Sequence, residues 1–204
     1  MSIPNSLTLL RIVLTPVFVI FLFSESLFLK QLSLVVYIVA ALTDWYDGVV
    51  ARKYGYVSQW GKFWDPLADK ILSSAALFSF VYLNLIDAWM VWIVVMRDVL
   101  ITALRSLAER HDMPIITSKT AQAKTFSQFI VIYYVLIAYV AGTLPPIQDR
   151  YTLLLVTLMD KRVLFGMMLL VTISAIATGI MYLIDNRKFL RKLYGHYFGA
   201  EESN

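Results

Sequence analysis

From Val163 to Ile184 the sequence runs without a single charged residue, and a segment of roughly twenty apolar residues is long enough to cross the hydrocarbon of a bilayer as a helix. A second run, Phe126–Leu144, passes the same test, while Ile12–Ser24 and Ile71–Ile86 are somewhat shorter. Leu32–Thr43 and Ala88–Met96 are too short alone, but each reaches spanning length if its helix continues through the charges that follow, as far as Arg52 and Ala108. With 59% hydrophobic and 16% charged residues in 204, the expected fold is an all-α integral membrane protein with six transmembrane helices, residues 1–204 forming one membrane domain.

The charges orient that bundle. If the N-terminus faces the cytoplasm, then of the 18 Lys and Arg only Lys30, Arg150, Lys161 and Arg162 fall on the far side. This is the positive-inside pattern, expected for a multi-pass protein of the cell inner membrane with both termini cytoplasmic. The net charge of +4 then reports orientation and contact with anionic membrane lipids, and no nucleic-acid partner is expected. Arg11 leads into the first apolar run and no small-residue cleavage site follows, so no cleavable signal is expected. The chain has no cysteine, which removes disulfides and thiolate metal sites.

Ile3, Leu7, Leu10 and Leu14 recur at helical spacing behind Pro4, with Asn5, Ser6 and Thr8 as possible caps, so a short N-terminal interfacial helix is expected. Glu25–Gln31 and Asn84–Asp87 read as outer turns, and Thr143–Arg162, with Pro145 and Pro146 together, as the longest outer connection. Lys53–Gly61 and Glu109–Thr120 read as inner connections, and the basic and aromatic residues after Ile184 as an interfacial tail. No internal repeat is apparent, which weighs against an inverted-repeat transporter.

Four aspartates break the hydrophobic pattern. Asp44 and Asp47 are three apart and Asp65 and Asp69 four apart, so each pair lies on one face of its helix, at the cytoplasmic ends of the second and third helices. A short loop joins those helices, which lets the carboxylates converge near the membrane surface. Unpaired aspartates in a membrane are costly, and several together repel one another. Oxygen donors without His or Cys nearby suit Mg²⁺ or Mn²⁺, and two such ions clamp a diphosphate. Two other readings stay open: a salt-bridge belt with Arg52, Lys53, Lys62 and Lys70, or a cation-translocation pathway in a transporter. Gly48 and Gly61 favour the diphosphate, since a glycine in a helix costs stability unless a close approach needs the missing side chain. Ala51 keeps that face small, and Arg52 can anchor a carboxylate or phosphate.

Asp44-x-x-Asp47-Gly48-x-x-Ala51-Arg52, then eight residues, then Gly61-x-x-x-Asp65-x-x-x-Asp69 resembles the complete signature of the CDP-alcohol phosphotransferase family. The opening "IPNSLTLLRIVLTPVF" and the later "RDVLITALRSLAE" and "QAKTFSQ" resemble one branch of it, the bacterial phosphatidylglycerophosphate synthases. The resemblance runs from about residue 3 to residue 130 and leaves the last span generic. It implies six membrane helices, a homodimer, an active site opening to the cytoplasm, and transfer of a phosphatidyl group from CDP-diacylglycerol with release of CMP. Carried over, it makes Asp44, Asp47 and Asp65 metal ligands, with Asp69 sharing a metal and acting as the catalytic base. It turns Gly48, Ala51, Arg52 and Gly61 toward CDP.

Glycerol 3-phosphate as acceptor would need fixed cations for its phosphate. Arg97 and Arg105, on the inner half of the fourth helix and expected nearly on one face, and Lys119 and Lys124, at the entry of the fifth, are the candidates. Inositol phosphate, serine and phosphatidylglycerol are the alternative acceptors. Many relatives read Gly-Lys-x-Lys-Thr where this chain has Ala121-Gln122-Ala123-Lys124-Thr125, so one lysine of that pair is absent.

Overall fold

A computed structural model describes the backbone of residues 3–54, 59–110, 119–187 and 189–191; the side chains at 3–6, 44–54, 59–66, 109–110 and 119–121 lie outside the description. Every regular element among the described residues is a helix. In chain order these are α1 (Ile3–Leu22), α2 (Leu27–Tyr54), α3 (Gln59–Tyr82), α4 (Ala88–Arg110), α5 (Lys119–Ala141), α6 (Pro145–Leu158) and α7 (Lys161–Asp185). Two stretches, Gln122–Ala141 in α5 and Lys161–Asp185 in α7, are long and apolar enough to cross a membrane, and Leu7–Leu22 and Leu27–Thr43 are shorter apolar helical stretches.

The helix ends follow local chemistry. Asp160 caps α7, its side chain accepting from the Arg162 backbone N–H at 2.7 Å, which satisfies one of the donors a helix N-terminus leaves unpaired. Asn84 ends α3 in the left-handed region, with φ 57. Around it the Leu85 N–H reaches the Phe80 carbonyl at 3.0 Å and the Asn84 N–H reaches Val81 at 2.9 Å. This paired closure of the last turn leaves no room for the helix to continue.

Two segments depart from the sequence reading. The expected short N-terminal helix is not separate, because α1 is one helix from Ile3 to Leu22. Nothing between Leu7 and Leu14 breaks it, and Pro4 stands in its first turn, where a missing N–H costs nothing. The expected long outer connection contains a helix, α6, which Pro145 and Pro146 start rather than prevent. It bends at Tyr151 (φ −126, ψ 27) and has no buried residue. The Tyr134 hydroxyl of α5 donates to the Leu158 carbonyl at 2.8 Å and ties down its far end. The expected connections 55–58 and 111–118, and the tail from residue 192, lie outside the described residues.

Helix α1 packs along both α2 and α3, α4 packs on α3 and α7, and α5 packs on α7 with further contacts to α2 and α3. Phe18, Tyr37, Leu77, Phe80, Met90 and Ile132 are fully buried in the common core. The Phe18 and Tyr37 rings lie 5.1 Å apart and the Tyr37 and Tyr133 rings 5.5 Å apart, so aromatic contact joins α1, α2 and α5. Helices that lie in lipid gain little from leaving water, and such close packing must supply their cohesion. This arrangement brings the end of α2, the start of α3, the second half of α4, the start of α5 and the second half of α7 to one end of the bundle.

Candidate active site

At that end α2 carries Asp44, Asp47, Gly48, Ala51 and Arg52, and α3 carries Gly61, Asp65 and Asp69. The residues between the helices, 55–58, are too few to carry them to opposite ends of the bundle. Of this set only the Asp69 side chain is among those described. Its carboxylate is 22% exposed and its Oδ2 stands 3.3 Å from the ammonium of its neighbour Lys70. The Ser73 hydroxyl donates to the Asp69 backbone carbonyl at 3.0 Å, one turn further along α3.

Beside Asp69 lies a buried charge cluster that the sequence reading did not anticipate. Asp98 of α4 is 2% exposed, and three cations converge on it. The Lys124 ammonium of α5 donates to Asp98 Oδ1 at 2.6 Å, and Arg97 Nη1 donates to the same oxygen at 3.1 Å. Lys70 Nζ is 4.0 Å from Asp98 Oδ2. Lys124 also donates to Gln128 Oε1 at 2.6 Å, and Arg97 Nη2 donates to Thr178 Oγ1 of α7 at 2.9 Å. Charges this deep persist only when paired and hydrogen-bonded; the charges here are all paired, while Asp98 Oδ2 and Arg97 Nε have no hydrogen-bond partner among the described residues.

The four candidate acceptor cations therefore separate. Arg97 and Lys124 meet on one carboxylate oxygen, and Lys124 is wholly buried. Arg105 is exposed, and it does not share the face of Arg97. Eight residues of helix turn the chain about 80° past two full turns, enough to take Arg105 out of the packed face. Lys119 opens α5, its side chain outside the described residues. Asp98, Gln128 and Thr178 were missed as site residues, and Lys70 was read only as a partner in a salt-bridge belt, where it does pair with Asp69. Asp98 beside Arg97 in an apolar stretch, and Gln128 one turn after Lys124, were signals available in the sequence; Thr178 gave none.

A cavity of about 510 Å³ lies elsewhere, between the α3–α4 turn and the start of α7, lined by residues including Asn84, Asp87, Lys161 and Arg162. It is at the far end of α3 from Asp69 and includes no residue of the acidic repeat.

Four carboxylates with no thiolate or imidazole among them would suit a hard cation, Mg²⁺ or Mn²⁺. Asp69 fits that use, since it is partly open and its ion pair with Lys70 engages Oδ2. Among the described residues no group of three or more possible ligands assembles, the side chains of Asp44, Asp47 and Asp65 lying outside them.

Residues 1–173 match the sequence profile of the CDP-alcohol phosphatidyltransferases. The chain belongs to the CDP-alcohol phosphatidyltransferase family. It is 36% identical over 143 residues to the CDP-diacylglycerol–glycerol-3-phosphate 3-phosphatidyltransferase of Bacillus subtilis (strain 168), covering 64% of this chain and 74% of that one. Proteins of the same name are similar in Salmonella paratyphi A, 30% identical over 143 residues (66% and 76% covered), and in Rickettsia felis, 29% over 131 residues (64% and 72%). As a CDP-alcohol phosphatidyltransferase the chain is a transferase. The family match takes in the whole acidic repeat, Arg97, Asp98 and Lys124 but stops before Thr178.

Proposed function

We propose that the protein transfers the phosphatidyl group of CDP-diacylglycerol to glycerol 3-phosphate, giving phosphatidylglycerol phosphate and CMP. The observation that carries this reading is the convergence of Arg97, Lys124 and Lys70 on Asp98, next to Asp69 and in a chain whose relatives are named for that reaction. Three cations shared between two carboxylates, Asp98 and Asp69, leave positive charge for an anionic acceptor.

Asp44, Asp47, Asp65 and Asp69 would hold Mg²⁺ or Mn²⁺, two ions in all, and the metal would supply charge neutralisation for the diphosphate and the departing CMP. Gly48 and Gly61 give the nucleotide close access to backbone, Ala51 keeps the same face low, and Arg52 offers a fixed charge to a phosphate. Asp69 accepts the proton of the acceptor hydroxyl as its oxygen bonds to the phosphatidyl phosphorus and the bond to CMP breaks. Arg97 and Lys124, which meet on Asp98, hold the acceptor phosphate, and Arg105 and Lys119 are the further candidates for it.

The protein works as a homodimer in the inner membrane. Six helices span it, both termini and the site face the cytoplasm, and α6 lies outside the spans. Two helices of spanning length and the exposed apolar side chains of Ile20, Phe28, Phe126 and Leu170 support contact with lipid.

An acceptor panel tests the reading. Purified protein with CDP-diacylglycerol and Mg²⁺ or Mn²⁺ should release CMP with glycerol 3-phosphate in preference to serine, inositol phosphate or phosphatidylglycerol. Preference for another acceptor would move the reading within the family. Metal flux in liposomes without CMP release from any acceptor would replace it with transport.

A further inference from the structure

We propose that Asp98 is a positioning residue for the acceptor: its carboxylate fixes the Lys124 ammonium inside the bundle, so that the remaining N–H of that ammonium is offered to the acceptor phosphate. This rests on the reading of glycerol 3-phosphate as acceptor.

Lys124 is wholly buried on α5. A lysine in such a place would ordinarily lose its proton or stretch its four-carbon stem outward until the ammonium reached water. Here two acceptors hold it inside at 2.6 Å, Asp98 Oδ1 from α4 and Gln128 Oε1 from its own helix. Gln128 supplies geometry but no charge, so Asp98 is the partner whose charge favours the ammonium. An ammonium has three donors. Two are engaged among the described residues, which leaves one for the acceptor.

The second oxygen of Asp98 extends the effect. Oδ2 is buried without a hydrogen-bond donor among the described residues and stands 4.0 Å from Lys70, which in turn pairs with Asp69 at 3.3 Å. The proposed phosphate anchor and the proposed base therefore belong to one network spanning α3, α4 and α5. Such a network fixes the separation of the phosphate anchor from Asp69, and so where the acceptor hydroxyl lies relative to the base, and small misplacements at this stage are costly to rate. Each cation has a second anchor, Arg97 in Thr178 and Lys124 in Gln128, but Lys124 stands closer to Asp98 Oδ1, at 2.6 Å against 3.1 Å.

Asp98→Asn keeps the shape and removes the charge. Steady-state CMP release, measured against each substrate in turn, should show the KM for glycerol 3-phosphate raised about tenfold or more. The KM for CDP-diacylglycerol and metal-dependent CMP binding should stay within about twofold of the unaltered protein. Equal rises in both KM values, or an unchanged KM for glycerol 3-phosphate, would overturn the proposal and leave Asp98 a purely structural counter-ion. If Asp98→Asn does not fold, the pair Lys124→Gln and Asp98→Asn/Lys124→Gln decides, since both lack the ammonium. A role exerted through Lys124 predicts KM values for glycerol 3-phosphate within about threefold of each other. A further tenfold loss in the double variant would show that Asp98 acts by another route. Should the unaltered protein release CMP without dependence on glycerol 3-phosphate, the acceptor reading falls and this proposal falls with it; intact dependence with no difference between substrates overturns this proposal alone.

Discussion

Arg97 Nη2 donates to Thr178 Oγ1 across 2.9 Å, joining the middle of α4 to the second half of α7. The same hydroxyl donates to the Ser174 carbonyl at 2.6 Å, so its proton is committed and its oxygen is presented to the guanidinium. A Cβ added at the next residue, Gly179, would lie 3.4 Å from Arg97 Cγ. The stem of the arginine therefore rests against α7 where a larger side chain would push it away. The last helix, generic by its sequence, helps set the cation cluster.

Thr178→Val should accordingly lower stability. The substitution keeps the shape but leaves a buried guanidinium N–H without its acceptor, a loss of about 1.5–3 kcal/mol for a hydrogen bond to a charged group. Thr178→Ser should retain most of the parent stability. Thermal denaturation of both variants in the same detergent tests this, and a Val variant as stable as the parent would show that the bond contributes nothing.

Lys124→Ala and Arg105→Ala should separate stability from acceptor binding. Removing Lys124 strips a buried carboxylate of its nearest counter-ion at 2.6 Å, a change that costs about 3–5 kcal/mol where one partner of a buried pair is lost. Arg105 is exposed, and its truncation should cost less stability than the loss of Lys124. If Arg105 holds the acceptor phosphate, its loss should still raise the KM for glycerol 3-phosphate about ten- to a hundredfold, the worth of one charge-assisted contact. An equal rise for CDP-diacylglycerol would assign Arg105 to general support of the site.

Asp69→Asn and Asp44→Asn should fail differently. With Asp69 as base, its amide variant should bind CDP-diacylglycerol in the presence of metal yet lose about 10²-fold or more in kcat. Asp44→Asn should lose metal-dependent nucleotide binding first, since a primary ligand has gone. Near-normal kcat in Asp69→Asn with a raised metal requirement would make Asp69 a ligand only and place the base elsewhere.

The α3–α4 turn offers a test of the fold away from the chemistry. Asn84 holds φ 57, which glycine adopts freely and a β-branched residue resists. Asn84→Gly should leave stability within about 0.5 kcal/mol, and Asn84→Val should cost about 1–2 kcal/mol. Denaturation midpoints that did not separate the two would mean that the turn relaxes to another conformation.

The helices were legible because their signals are local. An uncharged run such as Val163–Ile184 declares its own length, and Asn84–Asp87 announces a turn within a few residues. Pro145–Pro146 was misjudged for the same reason. A proline pair ends one helix and can begin the next, and only the chain beyond it shows which. Arg97 and Arg105 show the limit of spacing: a helix net gives their angular separation, but whether that angle faces protein or open surface depends on where α5 and α7 lie.

By itself the sequence determined that this chain is helical, that its acidic repeat is divided between the later part of α2 and the earlier part of α3, and which family it resembles. Each rests on residue type and short-range periodicity, which a linear string records in full. The tertiary structure alone decided that Asp98 is the shared counter-ion of Arg97 and Lys124, that Lys70 links it to Asp69, and that Thr178 completes the cluster. These are contacts between side chains up to 81 positions apart. A buried charge takes its partner from whichever helix packs against it, so its meaning is fixed by the packing of α3, α4, α5 and α7 and not by its neighbours in the chain.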